Sequence, residues 1–327
     1  MVEIRKRAAT VNGVTLQVVE AGTPGNPLVI LSHGFPEGAY SWRHQMKPLA
    51  AAGYHVIAPD QRGYGHSSVP KNVTDYGIEQ LTGDLLALAD QAGHEEAIFV
   101  GHDWGALIVW DLARLYPERV KAVVGVSVPF TNWPIRPTDL FKALMGDRFF
   151  YMLYFQQVGP ADEEMGRDPR LTLRNTLWGA SGDAYAAMEA RASQPLPPAE
   201  GTGWLDVMSA APDTLPAWIS EADVDHYGNQ FAASGFFGPI SYYRNLDANY
   251  ELVKDLSPSR LTMPSWFIGG TKDFVVTRNM ASVNAMPELL PGYRGHTLLE
   301  DAGHWTQQEK PEAFNTALLG FLAKVVG

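Results

Sequence analysis

The sequence predicts an α/β fold, a mostly parallel sheet flanked by helices, with an inserted helical lid. Three observations carry that prediction. Up to Pro129, short and nearly continuous apolar runs alternate with helix-periodic stretches, the pattern of parallel strands covered on both faces. From about Phe130 to Asn249 helical segments dominate, aromatic residues are dense and β-branched runs are scarce. Beyond that stretch the strand–helix alternation returns. The sheet-forming core is therefore assigned to residues 1–129 and 250–327, and the helical lid to 130–249.

In chain order, residues 14–19, 28–31 and 55–58 read as strands, with a helix over 42–52 between the last two. A clearer amphipathic helix spans 78–92, with Ile78, Leu81, Leu85, Leu88 and Ala89 on one face. Residues 97–100 and 120–128 are buried strands around a helix over 106–115. Within the insertion, 193–203 (SQPLPPAEGTG) is a Pro/Gly-rich loop without periodicity. Strands over 265–268 and 297–299 and a terminal amphipathic helix over 311–325 complete the chain.

Composition narrows the class. The 327 residues are 46% hydrophobic and 19% charged, a soluble globular profile whose length fits one α/β domain with an insertion. The absence of cysteine excludes disulfides and thiolate metal sites and is compatible with a reducing compartment, so a cytoplasmic location is expected. The charged N-terminus leads into no apolar segment of a signal peptide, and no run approaches the ~20 apolar residues of a membrane helix. A formal net charge of −11 speaks against a nucleic-acid partner. The histidines form no metal-like pair and no phosphate loop is present, so neither metal nor organic cofactor is expected. Oligomeric state is open, a homodimer being one expectation.

The pentapeptide Gly101-His102-Asp103-Trp104-Gly105 lies between the apolar run 97–100 and the helix over 106–115. Small–X–nucleophile–X–small at a strand-to-helix turn is the nucleophile elbow of the α/β-hydrolase fold, which most often presents serine. Here it presents Asp103. A carboxylate attacking an ester or amide would form an unstable mixed anhydride. Attacking an sp³ carbon, it forms an ordinary alkyl ester that water can cleave. The alternative reading of Asp103 is a helix N-cap.

Further parts stand where such an elbow needs them. His33-Gly34-Phe35-Pro36 follows the strand 28–31, so that the Phe35 N–H can join the Trp104 N–H around one oxygen. A cis Phe35–Pro36 peptide is one way to fix that turn. Asp273 follows the strand beginning at Ser265, and His304 follows the last strand, in the hydrolase order nucleophile–acid–histidine. In Asp60-Gln61-Arg62-Gly63-Tyr64-Gly65, Arg62 is read as a structural brace for loops near the elbow.

These residues resemble the α/β-hydrolase epoxide hydrolases, in particular the soluble epoxide hydrolase catalytic domain. The resemblance runs from about Val11 to Leu322, through HGFPE at 33–37, SWRHQ at 41–45, DQRGYG at 60–65, GHDWGA at 101–106, KDFV at 272–275 and GHWTQ at 303–307. It implies that Asp103 is the nucleophile, that Asp273 and His304 activate water, and that two lid tyrosines hold the epoxide oxygen. By motif these are Tyr151, in the segment 150–156, and Tyr243, in 241–245. Met152 and Tyr242 depart from the family pattern, where glutamine and tryptophan are common. Tyr151 and Tyr154 share roughly one helix face, so the choice between them rests on the family pattern and not on spacing. The lid aromatics Phe149, Phe150, Trp178, Trp218 and Phe237 suggest a small apolar epoxide. A haloalkane dehalogenase shares the aspartate elbow, but it commonly carries asparagine where Phe35 stands and lacks the tyrosine pair. A non-catalytic homologue would typically have lost a member of the triad.

Overall fold

The computed structural model describes residues 2–325. Eight strands form one sheet: β1 Ile4–Val11, β2 Val14–Ala21, β3 Leu28–Ser32, β4 His55–Pro59, β5 Ala97–His102, β6 Val120–Val126, β7 Ser265–Gly270 and β8 Tyr293–Leu299. Their order is β1-β2-β4-β3-β5-β6-β7-β8. From β4 through β8 every neighbouring pair is parallel, while β1–β2 and β2–β4 are antiparallel.

Alternation along the central strands separates two hydrophobic layers. Leu28 and Ile30 of β3, with Phe99 of β5, face a layer built on α2 (Ile78–Gln91) and α3 (Trp104–Leu115). Val29, Leu31, Ile98 and Val100 face the opposite layer, formed by α1 (Arg43–Ala51) and the C-terminal helix Pro311–Val325. This two-residue period is that of strands covered on both sides.

β1 is absent from the sequence reading. Its first residues are basic and exposed, and only Ala9 and Val11 are buried, so no apolar run marks it. The signal that was available is the Asn12-Gly13 turn. Both residues have positive φ, 46° and 77°, the conformation that joins two antiparallel strands through two residues.

Between β6 and β7 the chain is helical: α4 Pro137–Met145, α5 Tyr151–Tyr154, α6 Pro160–Gly166, α7 Pro169–Gly179, α8 Tyr185–Ala192, α9 Trp204–Val207, α10 Glu221–Ser234, α11 Phe237–Arg244 and α12 Leu246–Val253. The helical run thus extends a few residues past 249. After β7 come α13 Phe274–Arg278 and α14 Met280–Leu289, and after β8 the short α15 Thr306–Glu309 and α16 Pro311–Val325. No helix among the described residues is long and apolar enough to cross a membrane.

Candidate active site

β5 ends at His102 and α3 begins at Trp104, so Asp103 alone makes the turn, at φ 52° and ψ −115°. A non-glycine residue in that region costs on the order of 1–3 kcal/mol, which the surrounding packing must hold. The flanking glycines follow from the same geometry. A Cβ on Gly101 would collide with the Gly105 carbonyl, and one on Gly105 with the Ser32 carbonyl. Although Asp103 occupies the N-cap position, its side chain makes no capping bond to α3. Its Oδ1 instead accepts the Phe35 N–H at 2.8 Å.

The Phe35 donor sits on the loop leaving β3, with a cis Phe35–Pro36 peptide. Gly34 lies so close to the elbow that a Cβ there would strike the Asp103 side chain. Trp104 is the first residue of α3, and its N–H therefore has no intrahelical acceptor. The Phe35 N–H is thus bonded to the carboxylate, and the Trp104 N–H follows Asp103 in the chain without an intrahelical partner.

Asp273 leaves the C-terminal end of β7 and is fully buried, with Oδ1 accepting the Val275 N–H at 2.9 Å. His304 follows β8. Its Nδ1 lies 3.2 and 3.3 Å from the two Asp273 oxygens, and its Nε2 lies 3.5 Å from Asp103 Oδ2. Three loops of the parallel sheet thereby bring the imidazole between two carboxylates. Burial opposes charge on His304, but Asp273 and then Asp103 outweigh it and hold its pKa well above the usual histidine range. Burial likewise opposes ionisation of Asp103. The His304 contact, His102 and the Phe35 N–H together keep its carboxyl below the ordinary aspartate value.

The four tyrosines are separated by what their hydroxyls do. Tyr154 donates to Glu164 at 2.8 Å and Tyr242 to the Arg62 carbonyl at 2.9 Å. The Tyr151 and Tyr243 hydroxyls donate to no protein acceptor among the described residues. The Tyr243 ring packs edge-on against Phe35 and Trp104, with centroids 5.4 and 5.0 Å apart, and against Tyr151 at 5.8 Å. Burial first, then the Asp103 charge, pushes both phenols above the usual tyrosine range, so both keep their protons.

The family model for the alpha/beta hydrolase fold matches residues 27–172. The chain is 47% identical to epoxide hydrolase A of Mycobacterium tuberculosis over 320 residues, covering 97% of each chain. This chain belongs to the epoxide hydrolases. Among solved structures, the epoxide hydrolase matches epoxide hydrolase A from Mycobacterium thermoresistibile at 46% identity and TM-score 0.89, covering 98% of both chains. It also matches an epoxide hydrolase from an endophytic Streptomyces at 39% identity and TM-score 0.90, covering 98% of this chain and 95% of that one.

One expectation for this epoxide hydrolase needs correction. Arg62 does not brace the elbow. Its guanidinium grips Asp84 of α2 at 2.7 and 2.6 Å, with a further bond to the Asp75 carbonyl. The neighbouring Gln61 makes the brace, accepting from Ser32 Oγ at 2.8 Å and donating to the His33 carbonyl at 2.7 Å. The Trp218 indole N–H donates to Asp183 in a surface depression. The aromatics that do pack on Tyr151 are Phe150, Phe155 and Trp204, with centroids 5.2, 5.6 and 5.2 Å away.

The sequence reading also missed a buried hub. Glu37 Oε2 lies 2.6 Å from His102 Nδ1 and accepts the Gly34 N–H at 3.0 Å, while Oε1 accepts from Gln307 and Gln308. The other ring nitrogen of His102 donates to the His304 carbonyl at 2.8 Å. One carboxylate therefore links the Phe35 loop, the elbow and the His304 loop. Both partners stand inside quoted motifs, but nothing in their spacing reveals the contact.

Burial works against ionisation of Glu37, yet His102 and the Gly34 N–H hold its pKa below the ordinary value. Its stabilisation is then full above the unfolded pKa, near 4.3, and is lost as pH falls through the lower folded value. Glu37→Ala is expected to cost about 3 kcal/mol or more at pH 7, because it leaves the buried Gly34, Gln307 and Gln308 donors without their acceptor. The midpoint of urea unfolding measures this. The difference from the native chain should shrink in acid, and a pH-independent difference would contradict the ionic account.

Proposed function

We propose that this epoxide hydrolase converts a small apolar epoxide to a vicinal diol through a covalent Asp103 alkyl ester. One observation carries the reading: the elbow presents a carboxylate with one oxygen against a backbone N–H and the other facing His304. Asp103 attacks an epoxide carbon, the carbon–oxygen bond breaks, and the oxygen leaves as a developing alkoxide. Tyr151 and Tyr243 donate to that oxygen, and their raised pKa values suit donors that keep the proton until the strong base forms. One tyrosine gives its proton to the alkoxide, and because alkylation neutralises Asp103 and removes one of the charges that hold a proton on His304, the imidazolium gives up its proton to restore the phenol. Once neutral and oriented by Asp273, His304 takes a proton from water, which adds to the ester carbonyl. The Phe35 and Trp104 N–H groups receive the resulting oxyanion. Collapse of this intermediate expels the diol oxygen, which takes the proton held on His304, and the Asp103 carboxyl then passes its proton to His304, restoring the starting carboxylate and imidazolium.

Single-turnover hydrolysis of styrene oxide in ¹⁸O-water tests the covalent route. The label is expected in the Asp103 carboxylate and not in the first-turnover diol, because the ester is cleaved at its carbonyl carbon. Full labelling of that diol would establish direct attack by water instead.

A further inference from the structure

The His304 backbone is gripped from two sides. On the core side its carbonyl accepts from His102 and from Ser127 Oγ, at 2.8 and 2.9 Å. On the side of the helical lid, the His304 N–H donates to the Ala180 carbonyl at 3.0 Å, and the Trp305 indole donates to the Leu177 carbonyl at 2.6 Å. The loop following α7 and the His304 loop touch backbone to backbone, since a Cβ on Gly303 would collide with the Gly182 nitrogen.

Glu309, the last residue of α15, closes this junction. Its Oε2 accepts the Gly182 and Gly303 N–H groups, each at 2.9 Å, and its Oε1 accepts the Trp305 N–H at 3.1 Å. Two of its three donors are the residues immediately before and after His304, and the third belongs to the lid. The carboxylate is partly buried at the edge of the depression that Trp218, Lys272 and Asp301 also line. No lysine or arginine side chain is bonded to it among the described residues. Its two oxygens are instead shared among three backbone donors, whose pull does not offset burial, so its pKa is raised to about 7. The junction is directional all the same, because each N–H must point at one of two oxygens.

We propose that Glu309 is a positioning residue that locks the His304 loop to the lid, so that correct seating of the lid sets the aim of the imidazole. The proposal rests on the catalytic assignment above. Asp103 is held independently, by the elbow and the Phe35 N–H, so losing Glu309 disturbs water activation and leaves ester formation alone. In Glu309→Gln one acceptor oxygen is replaced by an NH₂ group that must face an N–H donor. The loop is pushed out of register without a change in side-chain size.

Rapid-quench and stopped-flow kinetics on the full chain with styrene oxide separate the two steps. The expected result for Glu309→Gln is a hydrolysis rate constant lower by about 10- to 100-fold, the scale on which small misplacements of a catalytic group act. The rate and amplitude of the alkylation burst should match those of the native chain. The burst amplitude counts folded, reactive enzyme, so partial misfolding would lower the amplitude and leave the hydrolytic rate constant readable. Hydrogen exchange should quicken together at Gly182, Gly303 and Trp305. An unchanged hydrolysis rate, or alkylation and hydrolysis falling in parallel, overturns the positioning role. Unchanged exchange at Gly182 overturns the link to the lid. If the native chain itself shows no alkylation burst, the covalent mechanism fails, and this proposal falls with it for that separate reason.

Discussion

Replacing both Tyr151 and Tyr243 by Phe is expected to reduce epoxide opening by about 10⁴-fold or more, while either single change leaves measurable turnover. A donor aimed at charge that develops in the transition state is worth about 10²–10³ in rate. With two donors on one oxygen, the survivor in a single variant still meets the alkoxide. The loss should fall on alkylation, read from quenching of intrinsic tryptophan fluorescence, because Trp104 adjoins the ester. Hydrolysis of a preformed ester should be far less affected, as it draws on His304 and Asp273. Tyr154→Phe serves as the control: that hydroxyl is already committed to Glu164, and its removal should leave ring opening essentially unchanged. A double variant that opens styrene oxide at near the native rate would withdraw the roles of Tyr151 and Tyr243.

His304→Gln should separate the half-reactions in the other direction. Asp103 keeps its position, since the elbow and the Phe35 N–H hold it without help from the imidazole. Alkylation should therefore proceed. Hydrolysis of the ester loses its general base, which typically contributes about 10²–10⁴ in rate. One equivalent of styrene oxide should accumulate on the enzyme, visible as a mass increase of the intact chain and mapped to the peptide containing Asp103. A variant that neither accumulates the adduct nor turns over would place His304 in the first step. One that turns over at the native rate would remove it from the mechanism.

Much of this was legible in the sequence because it is local. Strands covered on both faces are largely apolar, so β3 through β6 appear as nearly continuous hydrophobic runs. The elbow is legible for a stricter reason. The turn at Asp103 brings the backbone of residue 101 onto that of 105, and residue 105 onto Ser32, so only glycine fits at either place. Gly34, Pro36 and the nucleophile–acid–histidine order belong to the same class of constraint, set by chain direction and sterics at the ends of strands.

What the sequence could not decide depends on residues far apart in the chain. Tyr151 and Tyr154 are one helical turn apart and equivalent by spacing. They differ because Glu164 takes one hydroxyl and no protein group takes the other. Tyr242 and Tyr243 are neighbours, but one hydroxyl ends on the Arg62 carbonyl, 180 residues away. Gln61 takes the bracing role expected of Arg62 for a similar reason, because the Arg62 guanidinium is bonded to Asp84 of α2. β1 escaped notice since its strand character comes from pairing with β2 and not from an apolar run. Glu37, inside the motif at 33–37, and Glu309, at the end of α15, carry no mark of their partners in the sequence. Their meaning comes from the groups they meet, His102, Gln307 and Gln308 for one, Gly182, Gly303 and Trp305 for the other. The sequence by itself thus determined the scaffold and the candidate groups of the site, through sterics and burial along single segments. Only the tertiary structure decided which donors remain free and which carboxylates hold the loops, because a hydrogen bond is defined by the partner that the fold delivers.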